Sequence, residues 1–191
     1  MKKFVQSYEN AQAYAEVEKL PVGAYKIKIE NVRYEDNSAK GWNDKLVLAF
    51  DIVEGEQKGF FRRNFESQTA EDKKWKGTYR LNVPMDDGSE ADSYCMRRFK
   101  TVMINFEKSN PGYHWDWNES NLKGKVIGAI FNEKEYDFDG RHGFFTNCYS
   151  LIATEDIATA KIPAPTLLKN SNQASGGSIP TSASDDEEIP F

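Results

Sequence analysis

Residues 25–30 alternate apolar and charged side chains, and this two-residue period restricts the fold more than any other pattern in the chain. Successive side chains of a β-strand point to opposite faces, so the pattern predicts a half-buried strand. Two further apolar runs, residues 46–53 and 60–65, follow turn-forming segments and are predicted as the second and third strands. Three strands in quick succession predict an antiparallel meander.

Helical spacing replaces this alternation in the middle of the chain. Residues 92–108 place five apolar side chains on one face, which predicts a long helix: Cys95, Phe99, Val102, Met103 and Phe106. Residues 125–138 and 143–153 are predicted as two more strands, joined by an Asp-Gly hairpin signal. Short helices are predicted at residues 7–19 and at the start of residues 69–76.

The predicted order of three strands, a helix and two strands is the element order of the OB-fold. This fold is a five-stranded Greek-key barrel with a helix between its third and fourth strands. The predicted fold class is therefore mainly β and OB-fold-like, with a short N-terminal helix and a disordered C-terminal tail. Another small β-barrel or an α+β sandwich with the same order is the alternative.

The composition divides the chain into a folded body, a linker and a tip. Residues 1–162 are long enough to form one domain with a substantial core. Residues 163–184 are rich in Pro, Ser, Asn and Gly, and they lack the apolar surface needed to offset the entropy of ordering them. We therefore predict a flexible linker there, followed by an acidic tip at residues 185–191.

Charge and residue types exclude several functional classes. The formal net charge is -5, and the tip alone carries four carboxylates, so the body is nearly neutral and differs from a highly basic coat protein. The two cysteines have no paired spacing, and no apolar run is long enough for a membrane span. These features predict a protein of a reducing cytoplasm.

No pattern in the chain indicates catalysis. Neither of the two histidines has metal-ligand spacing, and no Gly-rich phosphate loop or nucleophile elbow is present. We expect no metal, no cofactor and no enzymatic activity. A nuclease whose carboxylates are gathered by the fold is the alternative.

Cations and aromatic rings are interleaved in residues 73–80, which hold four cations and two rings. Cations bind phosphates and rings stack on bases, so this pattern predicts sequence-tolerant contact with a single strand. A surface segment pinned to the body by its tryptophan is the alternative. Trp42 lies in the predicted loop between the first two strands, where it either contacts the ligand or folds back over the core.

Residues 60–65 offer a ring and a cation on either face of the predicted third strand. Whether Phe61 and Phe65 belong to the core or to a binding surface is left open. The neighbouring pair Trp115 and Trp117 is expected to pack at the barrel end. The complete candidate set for nucleic-acid contact is Trp42, Phe61, Arg62, Arg63, Lys73, Lys74, Trp75, Lys76, Tyr79 and Arg80.

The last seven residues are Asp185, Asp186, Glu187, Glu188, Ile189, Pro190 and Phe191. A terminal ring can fill an apolar pocket while its carboxylate meets an Arg or Lys of a partner. This tip resembles the C-terminal tip of bacterial and phage single-stranded-DNA-binding proteins, which ends in acidic residues followed by Ile-Pro-Phe. The resemblance implies that the tip recruits replication, recombination and repair proteins, as it does in that family.

Six stretches of the body carry a second resemblance: LPVGAY at 20–25, FDIVEG at 50–55, KGFF at 58–61, DKKWKG at 72–77, NPGYHWDW at 110–117 and LKGK at 122–125. They are similar to a group of phage and prophage proteins of Gram-positive bacteria described as single-stranded-DNA-binding proteins. The resemblance implies a protein that binds and protects single-stranded DNA, largely independently of sequence, during phage replication and recombination in the host cytoplasm. It is compatible with a homo-oligomer. The alternative is a protein-interaction module of a phage recombination system, without significant DNA binding.

Overall fold

The computed structural model describes residues 18–168. Five strands and two helices follow one another along this range: β1 (Gly23–Glu35), β2 (Lys45–Ile52), α1 (Phe60–Ser67), β3 (Thr78–Asn82), α2 (Glu90–Ser109), β4 (Val126–Phe138) and β5 (Arg141–Ile152). Short 3-10 helices lie at Ser38–Lys40, Glu119–Leu122 and Thr154–Thr159. The predicted helix at residues 7–19 lies almost entirely outside the described residues, as does the tip.

The five strands form one open antiparallel sheet in the order β3-β2-β1-β4-β5. The predicted mainly-β class is confirmed. β1 lies in the centre, where Ile27 pairs with Ile52 of β2 and with Ile127 of β4. All three isoleucines are buried in the core, whereas Lys26 and Lys28 beside them are not, as the alternation predicts.

A β-bulge in β1 changes which side chains face the core. The register moves from Ile29 opposite Phe50 to Asn31 opposite Ala49, so Glu30 is the extra residue. Beyond this point even-numbered residues turn inward, and Val32 packs against the core. Arg33 consequently points to the opposite, outer face of the sheet.

The predicted third strand at residues 60–65 is wrong, because this segment is helix α1. Phe60 and Phe61 are both buried, and this pairing of adjacent side chains on one side fits a helix rather than a strand. Asp51 at the end of β2 supports the first turn, since its Oδ1 accepts the Phe61 N–H at 3.0 Å. The carboxylate thereby satisfies a helical N–H group that has no partner within the helix.

The third strand of the sheet is Thr78–Asn82, which pairs with β2 from Lys45 to Ala49. Gly77 immediately precedes it and permits a close approach to β2. A Cβ atom at this position would lie 2.4 Å from the carbonyl oxygen of Phe50, and the Gly77 carbonyl accepts the Phe50 N–H at 2.8 Å. The predicted helical start of residues 69–76 is also wrong, because no helix forms there.

Helix α2 begins after Ser89, whose hydroxyl oxygen accepts the Asp92 N–H at 3.0 Å. Its inner face buries Phe99, Val102, Met103 and Phe106. Two polar side chains of α2 form hydrogen bonds to the two edge strands of the sheet. Arg98 donates to the Tyr79 hydroxyl on β3, and Asn105 donates to the Leu151 carbonyl on β5.

β4 and β5 form a long hairpin whose turn residues, Asp139 and Gly140, both have positive φ angles, as a two-residue hairpin turn requires. The chain after β5 returns to the other edge of β4. There Thr166 N–H donates to the Glu133 carbonyl at 2.8 Å and its carbonyl accepts the Glu135 N–H at 2.9 Å. The Leu168 N–H also donates to Glu135 Oε2 at 3.0 Å, so described contacts extend six residues beyond the predicted body boundary at residue 162. Most of the predicted linker lies outside the described residues.

Candidate nucleic-acid interface

The outer face of strands β1, β2 and β3 carries a row of two arginines with a valine between them. Arg33 pairs with Val47, and Val47 pairs with Arg80, so the three side chains share one face. Adjacent strands lie about 4.8 Å apart, which places the two arginine backbones roughly 10 Å apart. Val47 is buried between them, so the arginine stems cover apolar surface while their charged ends reach solvent.

The two arginines differ in their local partners. Arg33 forms an ion pair with Glu35, two residues along β1 on the same face. Arg80 has no ion pair or side-chain hydrogen bond to any residue in the range 18–168. Arg80 is therefore the cation of this face whose charge is not neutralised by a described neighbour.

At one end of this face, the loop between β1 and β2 presents an exposed tryptophan. Trp42 is 56% exposed, which contradicts the alternative that it folds back over the core. Lys40 Nζ lies 5.5 Å from the centre of its ring. An exposed ring beside a lysine is the combination that stacks on a base and contacts its phosphate.

Asp44 holds the base of this loop. Its Oδ1 accepts the Asn37 N–H at 2.7 Å, and its Oδ2 accepts a hydrogen bond from the Tyr34 hydroxyl. The hydrogen bond to Asp44 raises the pKa of Tyr34 to about 12, with burial and the nearby carboxylates adding to the effect. The loop that carries Trp42 is thus anchored by two bonds to a single carboxylate.

At the other end of the face, residues 73–76 cross the end of β2. Trp75 Nε1 donates to the carbonyls of Phe50 and Gly77 at 3.1 Å each, and its ring packs against the core. Trp75 is therefore a half-buried anchor, as the structural alternative predicts. Lys73 and Lys74 directly precede this anchor and are exposed. Lys73 Nζ donates to the Glu66 carbonyl at 3.1 Å and lies 6.0 Å from the Phe65 ring centre.

The structure separates the ten predicted contact residues into core and surface. Phe61 and Tyr79 are each only 7% exposed and belong to the core, so neither ring offers a stacking surface. Phe65 is half-buried against Trp75, at 5.8 Å between ring centres. The outward-facing members of the set are Trp42, Arg62, Arg63, Lys73 and Lys74, with Lys76 and Arg80 half-buried.

Sequence reasoning missed Arg33 and the aromatic residues of the β4–β5 hairpin. Arg33 could not be assigned to a face without the bulge at Glu30. Phe138 and Phe144 are 50% and 38% exposed near the hairpin tip. Their signal in the sequence is an aromatic residue on each side of the Asp139-Gly140 turn.

Trp117 is the most exposed aromatic side chain in the described range, at 74%. It has a φ of 64°, a left-handed conformation that is unusual for a tryptophan. Its ring stacks on Phe99 of α2 at 6.3 Å, and Trp115 lies 6.0 Å away. The expected packing role applies to the half-buried Trp115, whereas Trp117 leaves one face of its ring to solvent.

Residues 18–168 contain no group of three or more His, Cys, Asp or Glu side chains that could hold a metal ion. In the same range, every helix is too short or too polar to cross a membrane. No protein-family model matches the chain, and no curated protein matches it significantly.

Proposed function

We propose that this protein binds single-stranded DNA along the outer face of β1, β2 and β3. One observation carries the proposal: the Arg33–Val47–Arg80 row lies between an exposed tryptophan loop at one end of β2 and two exposed lysines at the other. Cations and rings thus follow one path instead of lying scattered over the surface.

The dimensions of this path suit a short stretch of single strand. β2 pairs with β3 over five residues, which corresponds to roughly 15 Å along the strand. The loop of Trp42 and the segment of Lys73 and Lys74 extend it at both ends. OB-type domains contact about 4–16 nucleotides each, and we expect a site size within that range.

We also propose that the sheet is an OB-type barrel left partly open between β3 and β5. The support is helix α2, which reaches both edge strands through Arg98 and Asn105. A sheet in the order β3-β2-β1-β4-β5 becomes a closed ring when its two outer strands approach each other. In OB-folds the face of the second and third strands and the flanking loops bind the strand, which agrees with the proposed path.

Binding by this path is largely independent of sequence and involves no catalysis. The cations contact phosphates, which every nucleotide carries, and Trp42 stacks on any base. The acidic tip at residues 185–191 serves a separate purpose in this proposal, as the docking peptide for replication, recombination and repair proteins. The terminal Phe191 ring and the four preceding carboxylates support this assignment chemically.

The test is binding of a fluorescently labelled oligothymidine, measured by anisotropy at two salt concentrations beside a duplex of equal length. We expect tight, single-strand-selective binding whose log-log salt slope is about -0.7 per phosphate neutralised. Weak binding that does not distinguish the two DNA forms contradicts the proposal and favours the protein-interaction module. Magnesium-dependent cleavage of the oligonucleotide favours the nuclease alternative.

A further inference from the structure

A cavity of about 180 Å³ lies beside the proposed DNA path, between β3 and the N-terminal half of α2. Small-molecule sites commonly have volumes of roughly 300–1,000 Å³, so this cavity suits a compact chemical group. Its polar lining consists mainly of two arginines, a tyrosine, two asparagines and one aspartate: Arg80, Arg98, Tyr94, Asn43, Asn82 and Asp92.

Arg98 brings a half-buried positive charge to the cavity. Its Nη2 donates to the Tyr79 hydroxyl at 3.3 Å, and it forms no ion pair with a carboxylate in the range 18–168. Burial lowers the pKa of Arg98, but the neighbouring tyrosines outweigh this effect and leave it above its ordinary value. A guanidinium that is partly removed from water without a counter-ion is unfavourable, so the site favours an anion.

Arg80 adds a second cation to the same cavity and lies in the row on the sheet face. The only carboxylate in the lining, Asp92, is already engaged: its Oδ1 accepts the Met85 N–H at 2.7 Å. No ion pair joins Asp92 to either arginine. Two arginines and one carboxylate in the lining give an excess positive charge, which matches the single negative charge of a phosphodiester.

We infer that this cavity binds one phosphate group, held by Arg80 and Arg98, as a subsite of the DNA path. The inference rests on the proposed function, because Arg80 connects the cavity with the outer sheet face. A planar guanidinium group can bind two phosphate oxygens at once, and both arginines line the cavity. The phosphate belongs either to the interior of the bound strand or to its end.

The main test compares Arg98→Gln with Arg97→Gln. Both substitutions remove one positive charge at adjacent positions of α2, but Arg97 is exposed and does not line the cavity. We expect Arg98→Gln to weaken oligothymidine binding about tenfold and to reduce the salt slope by about 0.7. Arg97→Gln should have much smaller effects. Equal effects of the two variants overturn the inference. They would show that the lost charge acts through the overall electrostatic field of the protein and not through the cavity.

A second variant separates phosphate binding from folding. Arg98→Lys keeps the charge and most of the stem, but it loses the paired guanidinium contacts. We expect it to retain the thermal unfolding midpoint and to bind more weakly than the wild type, with little change in salt slope. Wild-type affinity in this variant, together with a native circular dichroism spectrum, counts against the subsite.

Inorganic phosphate gives a measurement that does not depend on DNA. Titration with phosphate should shift the Arg98 side-chain NMR resonance, assigned by its absence from the Arg98→Lys spectrum, while Arg97 stays unaffected. If phosphate shifts Arg98 but oligothymidine does not bind, the subsite stands and the proposed function fails. If oligothymidine binds but phosphate leaves Arg98 unshifted and Arg98→Gln behaves like Arg97→Gln, the subsite fails alone.

Phosphorylated oligonucleotides identify the source of the phosphate. If the cavity takes a strand end, adding a 5′- or 3′-phosphate should strengthen binding of the wild type but not of Arg98→Gln. If it takes an internal phosphodiester, terminal phosphates should leave the affinity of both proteins unchanged. The loss of affinity in Arg98→Gln should then be the same for the unphosphorylated, 5′-phosphorylated and 3′-phosphorylated oligonucleotides.

Discussion

Trp42 and Trp117 are both exposed tryptophans, but only Trp42 lies on the proposed DNA path. Trp117 stacks on Phe99 of α2, in the loop that follows this helix. The pair therefore tests whether a ring on the proposed path behaves differently from a ring that is only accessible. Exposure alone predicts equal behaviour for the two residues, whereas the arrangement of the path predicts different behaviour.

Trp42→Ala should weaken oligothymidine binding by about 1–3 kcal/mol, because one base–ring stack is lost. The free energy of unfolding should change by less than about 0.5 kcal/mol, since the ring is exposed. Trp117→Ala is the matched control and should leave DNA affinity unchanged. Anisotropy and urea denaturation measure the two quantities, and reduced affinity in the control instead would place the path over α2.

Trp75 differs from these two residues because it is half-buried and its indole N–H donates to two carbonyls at the end of β2. Trp75→Ala should lower the free energy of unfolding by about 2–4 kcal/mol through lost packing. Trp75→Phe should cost only about 1 kcal/mol, since it keeps a ring and loses the hydrogen bonds. A Trp75→Ala protein of wild-type stability that binds DNA poorly would show that this ring contacts a base.

Among the secondary-structure elements, those marked by a recognisable sequence pattern were predictable, whereas those that depend on single residues or on pairing partners were not. The alternation in residues 25–30 predicted β1, and the paired turn residues predicted the β4–β5 hairpin. Residues 60–65 were mistaken for a strand because a short apolar run fits both periods. The five residues of β3 were missed since their position depends on Gly77 and on pairing with β2.

The candidate site shows the same division. Trp42, Lys73, Lys74 and Arg80 were predictable from their residue types and their neighbours in the sequence. Arg33 was not, because one extra residue in β1 decides which face it occupies. Tyr79 was predicted to contact the ligand, and Phe61 was left open between the site and the core; only their burial showed that both belong to the core.

The loop between β1 and β2 makes a prediction about alkaline pH. The pKa of Tyr34 is raised to about 12 by its hydrogen bond to Asp44, so the neutral hydroxyl is the stabilised form. The contribution of this bond to the free energy of unfolding is complete below pH 10 and is lost as the pH rises through about 12. Burial raises the pKa of Tyr113 to about 12 as well.

Ultraviolet absorbance should therefore show that Tyr34 and Tyr113 titrate near pH 12. Burial raises the pKa of Tyr25 and Tyr79 as well, so single substitutions are needed to assign each transition. Tyr34→Phe should remove one of these transitions and leave the one from Tyr113. Tyr113→Phe is the reciprocal control. Titration of Tyr34 near pH 10 would mean that its bond to Asp44 does not persist in solution.

At the scale of the whole molecule, charge is divided unequally between the body and the tip. Four carboxylates lie within the last seven residues, whereas the lysines and arginines of the DNA path lie on the body. Opposite charges on one chain attract when no partner occupies either of them. The tip therefore competes with DNA for the path in this proposal.

Deleting residues 185–191 should tighten oligothymidine binding, most strongly at low salt, where screening is weak. Phe191→Ala keeps all four acidic side chains and should leave DNA affinity unchanged while abolishing docking of partner proteins. Anisotropy measures the first effect, and co-precipitation with replication or repair proteins measures the second. Equal DNA affinity of the deleted and intact chains at low salt would exclude the competition.

Helix α2 has a consequence for how copies of this protein behave beside one another. An open sheet has two exposed edges, and unpaired backbone groups along such edges can recruit strands from other molecules and start aggregation. Asn105 occupies the Leu151 carbonyl on β5, and the Cys95 thiol lies 3.6 Å from the Asn82 carbonyl on β3. One helix thus covers a backbone acceptor on each edge, which leaves fewer groups there for a strand of another copy to pair with.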